Sequence, residues 1–362
     1  MKVINKANPN PVSDSDRAAK LAEGGFGKHY TDNMIVAEWS EKDGWGDINL
    51  VPYGPLSLDP ATAVFHYGQE IFEGLKAYSQ PDGSVSLFRP EANAQRFIRS
   101  AERLALPALP VEGFVSAVTE LVKQDRKWVP NKVGESLYIR PFLIATEVGL
   151  GVRPTNHATF LVITTPAGAY FNPNKAVTVW ISTEYVRAAP GGTGEAKCGG
   201  NYAGSLLAQK QAAKEGCDQV VWLDSQERKW VEEMGGMNLY FVKGSGKNAT
   251  IFTPKLTGTL LAGITRDSIL TAAKDLGYKT EEVMLSIDDW REGVSSGEIT
   301  EIFACGTAAV VSPIGQAKSA MGTWVTGNGQ PGAITMQIRN HLLAIQHGTT
   351  EDKHGWVQKV AL

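Results

Sequence analysis

One lysine set among glycines constrains this chain more than any other feature: Gly191-Gly-Thr-Gly-Glu-Ala-Lys197-Cys-Gly-Gly-Asn-Tyr202. Glycine lets the backbone approach a flat ligand closely and adopt positive φ, at an entropic cost that an ordinary loop has no reason to carry. A desolvated lysine loses its proton readily and becomes an amine able to attack a carbonyl carbon. The segment alone leaves a second reading open, a flexible surface loop with an ordinary lysine.

Two nucleotide-binding readings fail on the letters. A triphosphate-cradling loop needs Gly before the lysine and Ser or Thr after it; here those positions hold Ala196 and Cys198. Gly244-Ser-Gly246-Lys-Asn-Ala249 fits a relaxed dinucleotide fingerprint, but that fingerprint must open a helix after a strand. Instead the chain continues as Ala249-Thr-Ile-Phe-Thr253, a β-rich run. The spacing predicts a hairpin turn between Asn238–Val242 and that run.

Composition narrows the class. A chain of 362 residues exceeds the size at which one core usually keeps growing, so two domains are expected. With 43% hydrophobic and 20% charged residues it reads as a soluble globular protein. A net charge of −3 and a pI near 6.1 argue against nucleic acid as a partner. No apolar run reaches membrane-spanning length, and the polar start lacks a signal-peptide core, so neither membrane nor export is expected. Cys198, Cys217 and Cys305, odd in number and far apart, suit a reducing, cytoplasmic compartment and no disulfide framework. His29, His66, His157, His341, His347 and His354 show no metal-ligand spacing, and no metal is expected.

Along the chain, residues 1–24 are polar and read as a loosely ordered arm. Residues 25–165 alternate short β-rich runs such as Thr159–Thr164 with amphipathic helices. One helix begins near Pro90, a residue suited to a first turn, and carries Phe97, Ile98, Ala101 and Leu104 on one face. Its spacing puts Arg96 with Arg99 and Arg103 towards the polar side. Residues 166–176 have the Pro, Gly and Asn density of an interdomain connection. Residues 177–362 form a second region opening with the strand Val177–Ile181. A helix there runs through Leu206, Leu207 and Ala213 to Gly216.

Further segments carry candidate chemistry. Gly263-Ile264-Thr265 before an apolar-periodic stretch reads as a helix start with Thr265 as N-cap. Free N–H groups there make an anion site; the segment alone favours a helix cap without ligand. Cys305-Gly306-Thr307-Ala308 reads as a tight turn after a strand, either an anion-binding nest or a plain turn. Glu232-Glu233-Met-Gly-Gly-Met-Asn238 puts two carboxylates in a strand, pointing to opposite faces. Glu232 is read as a surface residue.

A lysine for an aldehyde, an anion site for a phosphate and an acid for a pyridine nitrogen are what pyridoxal phosphate requires. The chain resembles the branched-chain amino-acid aminotransferases, of the fold-type-IV pyridoxal phosphate class. The most specific pieces are Phe72-Glu-Gly-Leu-Lys-Ala77, Tyr138-Ile-Arg-Pro141, Ala196-Lys-Cys-Gly-Gly-Asn-Tyr202, Glu232–Asn238 and Gly263-Ile-Thr-Arg266. The resemblance runs from Phe26-Gly-Lys-His-Tyr30 past Thr307. It implies an α/β (α+β) fold with a smaller N-terminal α/β domain and a larger C-terminal domain, β-rich at its core and surrounded by helices.

Residue by residue, the resemblance implies that Lys197 is the Schiff-base lysine and Tyr202 the partner of the cofactor's phenolic oxygen. Glu233 would face the pyridine nitrogen, and Arg96, Ile264, Thr265 and Thr307 the phosphate. Tyr138 and the Thr307-Ala308 turn would grip the substrate α-carboxylate, and Arg140, at the rim of the pocket, the distal carboxylate of glutamate. Phe26, Tyr67 and Phe72 resemble an apolar wall, and Leu150 and Val152 resemble residues lent by a neighbouring subunit of a homodimer. The implied substrates are leucine, isoleucine and valine with 2-oxoglutarate, in ping-pong order. Gly236 stands where some relatives carry threonine. Ala309 and Ser312 stand where some eukaryotic relatives carry a CxxC pair, so no thiol switch is expected there. A D-amino-acid aminotransferase and an aminodeoxychorismate lyase share the fold and are the rival activities.

Overall fold

The computed structural model describes residues 1–168 and 175–361. The chain divides into two compact units: Met1–Tyr170, Ala196–Gly199 and Ala344–Leu362 in the first, Phe171–Glu195 and Gly200–Leu343 in the second. The lysine segment and the C-terminal stretch therefore group with the first unit, a division that local patterning does not reveal. Part of the expected connection, residues 169–174, lies outside the described residues.

The first unit is built on a mixed sheet. Its longest pairing joins Ser136–Ala145 antiparallel to His157–Ala167, with Tyr138 opposite Thr165 and Arg140 opposite Ile163. Asn33–Ser40 continues the sheet on one side, Leu75–Ser79 and Val85–Phe88 on the other. The helices Pro90–Arg103 and Val111–Gln124 share its core: Phe97, Phe114 and Phe160 are fully buried, with ring centroids 5.3–6.1 Å apart. Truncating any one of these rings to Ala typically costs about 3–5 kcal/mol.

Residues 1–24 are more ordered than expected. Val3–Asn5 pairs in parallel with Ile48–Leu50, and Asp14–Glu23 is a helix. The Ser13 side chain accepts from the Asp16 N–H, and Asp14 and Asp16 occupy the first turn, where the helix dipole favours negative charge.

The second unit contains a sheet that closes on itself. Val231–Met234 pairs with Gln219–Leu223, which continues through Val177–Ser182, Val310–Ser319, Ile299–Gly306 and Met237–Lys243 back to Val231–Met234. Strand alternation fills the core with Val179, Ile181, Val221, Leu223, Leu239 and Phe241. The expected hairpin is present, with Met237–Lys243 antiparallel to Thr250–Pro254. The helix Leu206–Lys214 forms, but Leu206 and Leu207 are exposed, and Ala208 and Ala212 are its buried positions.

Candidate functional site

In the first unit, Lys197 is half-buried and fixed through its backbone. Its N–H donates to the Ser100 Oγ at 3.0 Å, and its carbonyl accepts from the Phe72 N–H at 2.9 Å. The Lys197 Nζ lies 4.7 Å from the centroid of the Phe72 ring. The Arg140 guanidinium lies 4.6 Å from that same centroid and 5.3 Å from the Tyr138 centroid. Arg140 also donates from an Nη to the Tyr138 hydroxyl at 2.9 Å. Phe26 meets Tyr138 edge to face at 4.9 Å. Five of the residues singled out in the sequence, Phe26, Phe72, Tyr138, Arg140 and Lys197, thus form one continuous aromatic and cationic cluster.

Gly74 makes that cluster possible. A Cβ there would overlap the Tyr138 hydroxyl, so glycine after Phe72-Glu73 is needed for Tyr138 to sit where it does. Glu70 reaches the lysine segment from the strand Glu70–Phe72 and accepts from the Gly199 N–H. Burial raises the Glu70 carboxyl above the usual range, against the pull of that N–H and of Arg140.

Arg96 departs from expectation. It is 4% exposed and turns inward to Glu73 rather than lying with the polar face. Arg99 and Arg103 do lie outside. The physical reason is Glu73, a fully buried carboxylate that compensates the guanidinium. Tyr67 donates from its hydroxyl to the Leu150 carbonyl, bringing those two expected residues together, and Val152 is 83% exposed.

In the second unit, Glu233 is 1% exposed and opposite Asn238 across the pairing of Val231–Met234 with Met237–Lys243. Its Oε1 accepts from the Leu261 N–H at 2.8 Å and Asn238 Nδ2 at 3.1 Å, and its Oε2 lies 3.0 Å from Arg187 Nε. Arg187 anchors itself on the carbonyls of Gly194 and Thr259. Glu232 is also buried, at 4% exposure, which corrects its reading as a surface residue; its Oε1 accepts from the Thr259 hydroxyl.

Tyr202 sits beside Gly236: a Cβ on Gly236 would fall 3.1 Å from the Tyr202 ring and 3.4 Å from its hydroxyl. The helix Ile264–Asp275 begins as expected, but its N-cap is Gly263, so Thr265, 8% exposed, is inside the first turn. Ile264 and Thr265 therefore supply N–H groups at the positive end of the helix. Thr307 and Ala308 form the turn between Ile299–Gly306 and Val310–Ser319. Burial pushes the Cys305 thiol up, so it is an inert core residue rather than a nucleophile.

Sequence reasoning assigned no role to Glu73, Asn93, Arg187 or Asn238. Glu73 stood inside a quoted motif, and Asn238 closed another. Arg187 is 46 positions from Glu233 and leaves no spacing signal.

Each unit by itself carries group types that pyridoxal phosphate needs: the first a lysine amine on an aromatic face, the second a buried carboxylate compensated by Arg187 and a helix start with two candidate phosphate donors. Residues 70–317 match the amino-transferase class IV family. The chain is 58% identical over 358 residues to a probable branched-chain-amino-acid aminotransferase of Streptomyces coelicolor, covering 98% of each chain. It is 57% identical over 356 residues to the branched-chain-amino-acid aminotransferase of Mycolicibacterium smegmatis, covering 98% of this chain and 97% of that one. It superposes on the crystal structure of the Escherichia coli branched-chain amino acid aminotransferase with a TM-score of 0.74 at 28% identity, covering 90% of this chain and 99% of that one. A lysine presented on an aromatic ring, a shielded acid and a match of this extent lead to one assignment: the chain belongs to the class IV aminotransferases.

Proposed function

We infer that this protein is a pyridoxal 5′-phosphate-dependent branched-chain-amino-acid aminotransferase. It moves the amino group of leucine, isoleucine or valine to 2-oxoglutarate, giving a branched 2-oxo acid and glutamate. One observation carries the substrate pair: the Lys197 ammonium and the Arg140 guanidinium share the Phe72 ring. An amine that handles the reacting carbon, an apolar ring and a carboxylate-binding fork thereby stand together, which suits both an aliphatic side chain and the distal carboxylate of glutamate.

When bound, the cofactor supplies a carbonyl carbon for the amino group and a ring that takes up the electrons of the broken Cα–H bond. The chain's residues do the rest. The Lys197 amine accepts the α-proton and returns it on the other side of the cycle. Glu233, steadied by Arg187 and Asn238, would pair with the pyridine nitrogen, and Tyr202 would hydrogen-bond the phenolic oxygen. Arg96, Ile264, Thr265 and Thr307 would hold the phosphate. Tyr138 and the Thr307-Ala308 turn bind the substrate α-carboxylate. Phe26, Tyr67 and Phe72 exclude water from the side-chain end.

The working form is a homodimer. Phe65, Tyr67, Val148, Leu150 and Val152 are large apolar residues 43–83% exposed; they come from two segments that the Tyr67–Leu150 hydrogen bond brings together, and exposed apolar surface of this kind supports an interface. Leu150 and Val152 would then reach the neighbouring copy. Three buried free thiols suit a reducing cytoplasm.

The test is amino transfer itself. Purified protein with the cofactor, L-leucine and 2-oxoglutarate should form glutamate, and double-reciprocal plots should be parallel, as expected for ping-pong order. Transfer from D-amino acids in place of L-leucine, or pyruvate release from aminodeoxychorismate, would install a rival activity instead.

A further inference from the structure

Glu232 is a buried acid that the reaction does not use. It lies next to Glu233 on Val231–Met234, and alternation turns the two side chains to opposite faces. Its Oε1 is satisfied by the Thr259 hydroxyl, while its buried Oε2 has no hydrogen-bond partner among the described residues. Burial raises its carboxyl above the usual range, opposed by Thr259 and Arg187. A buried acceptor left in this state carries its desolvation cost without a compensating hydrogen bond.

Glu232 forms part of the wall of a cleft of about 190 Å³ within the second unit. Trp230, Leu260, Val283 and Met284 give the cleft apolar walls, and Asp224, Glu227 and Lys255 also line it. Asp224 is already saturated: it accepts from the N–H groups of Gln226, Glu227, Lys229 and Trp230 at 2.7–3.0 Å. Glu227 accepts from the Trp230 indole at 3.1 Å. Among the described residues, Glu232 Oε2 is the buried carboxylate oxygen of this wall without a hydrogen-bond partner.

The chemistry selects an occupant. Three carboxylates against one lysine disfavour an anion. A neutral apolar molecule would leave Glu232 Oε2 without a donor. Among the described residues no group of three or more His, Cys, Asp or Glu side chains is arranged to hold a metal ion. An organic cation suits the indole face, and the Trp230 ring already draws one: Lys229 Nζ lies 4.6 Å from its centroid. We propose that this cleft binds a small organic ammonium ion with an apolar body, its N–H directed to Glu232 and its carbons against Trp230, Leu260 and Met284.

The site is separate in chemistry from the transamination centre, so the probe must not react with the cofactor. N,N-dimethylbutylammonium keeps one N–H and, as a tertiary amine, forms no Schiff base. Titrated into the holoenzyme by calorimetry, with saturation-transfer NMR as a second reading, it should bind saturably. Glu232→Gln should weaken binding at least about tenfold, the loss expected when a charge-assisted hydrogen bond becomes a neutral one. Trp230→Ala, at a half-buried surface position, should weaken it several-fold, and a neutral alcohol of the same size should bind more weakly than the ammonium ion. If Glu232→Gln does not fold, Trp230→Ala and the alcohol decide. Absence of saturable binding, undiminished binding in the variants, or equal binding of the alcohol overturns the proposal.

Discussion

Glu73 and Arg96 meet in a two-point ion pair inside the first unit, with Arg96 Nε 2.6 Å from Oε1 and an Nη 2.9 Å from Oε2. Asn93 Nδ2 at 2.9 Å and the Gly74 N–H at 3.0 Å complete the carboxylate's coordination. Burial alone would raise the Glu73 carboxyl, yet Arg96, Lys197 and Asn93 together hold it below the ordinary range. Removing one partner of such a pair strands the other charge, typically at about 3–5 kcal/mol. Glu73→Ala is expected to lower stability to urea by that order, and Glu73→Ala with Arg96→Met by less than the two single losses added together. A single loss under about 1 kcal/mol, the scale of an exposed pair, would show that Glu73 does not support Arg96.

His347 sets a pH dependence. It is 6% exposed, packs edge to face on Tyr78 with centroids 5.1 Å apart, and its Nε2 accepts from the Gly134 N–H at 3.4 Å. Burial, helped by Lys76, lowers its pKa below the ordinary 6.5, against a raising contact from Ser79. As pH falls, the unfolded chain therefore takes up this proton first, and stability declines. The contribution is whole above the unfolded value and is lost as pH drops from there through the folded one. Urea midpoints at about pH 7.5 and about pH 5.5 bracket the ordinary histidine value. His347→Gln should shrink the difference between them, and an unchanged difference would clear His347 of the role.

Lys197→Ala removes the amine proposed to move the α-proton. Loss of a general base alone typically slows a reaction by about 10² to 10⁴, and here the covalent anchor for the cofactor goes too. Borohydride should fix cofactor to the unmodified protein at residue 197 and not to the variant. Turnover near that of the parent protein would rule out the assignment of this lysine.

Glu233→Gln leaves the Asn238 and Leu261 contacts but removes the charge that balances Arg187. A few kcal/mol of a charge-assisted contact correspond to about a hundredfold or more in rate. Cofactor binding should largely survive, because the proposed phosphate contacts are untouched. Arg187→Met should imitate the defect, whereas Glu232→Gln should slow transamination less. Greater damage from Glu232→Gln would mean that the facing acid has been chosen wrongly.

Where local pattern decides, the chain is readable. The hairpin after Val242 and the helix from Pro90 follow from turn residues and a first-turn proline. Arg96 and Glu232 defeated the same reasoning, because each is buried by a polar partner distant in sequence, Glu73 in one case and Thr259 in the other. Periodicity reports where apolar side chains go and is silent on a compensated charge. The Arg187–Glu233 pair shows the second limit. The acid was legible from its glycine-flanked strand, but its cation sits on a separate segment and only the closed sheet brings them to 3.0 Å. Thr265 was misplaced within the first turn because Gly263 caps the helix without a side chain.

The role proposed for Arg140 is to let one pocket accept both leucine and glutamate. A fully buried unpaired guanidinium would be costly whenever leucine filled the pocket. Arg140 avoids this by lying half-buried, stacked on Phe72 and donating to the Tyr138 hydroxyl. It thus has a protein partner with either substrate and a planar fork that suits a carboxylate. Arg140→Met keeps an apolar chain against the Phe72 ring and removes the fork. Binding of 2-oxoglutarate and glutamate should weaken by about 1.5–3 kcal/mol, the range for hydrogen bonds to charged groups. The leucine half-reaction, followed in a single turnover by the absorbance of the bound cofactor, should change much less. Because Tyr138 also loses its Arg140 partner, Tyr138→Phe serves as the control: it should impair both half-reactions through the α-carboxylate. Equal losses in both half-reactions for Arg140→Met would make Arg140 a support for Tyr138 rather than the handle for the distal carboxylate.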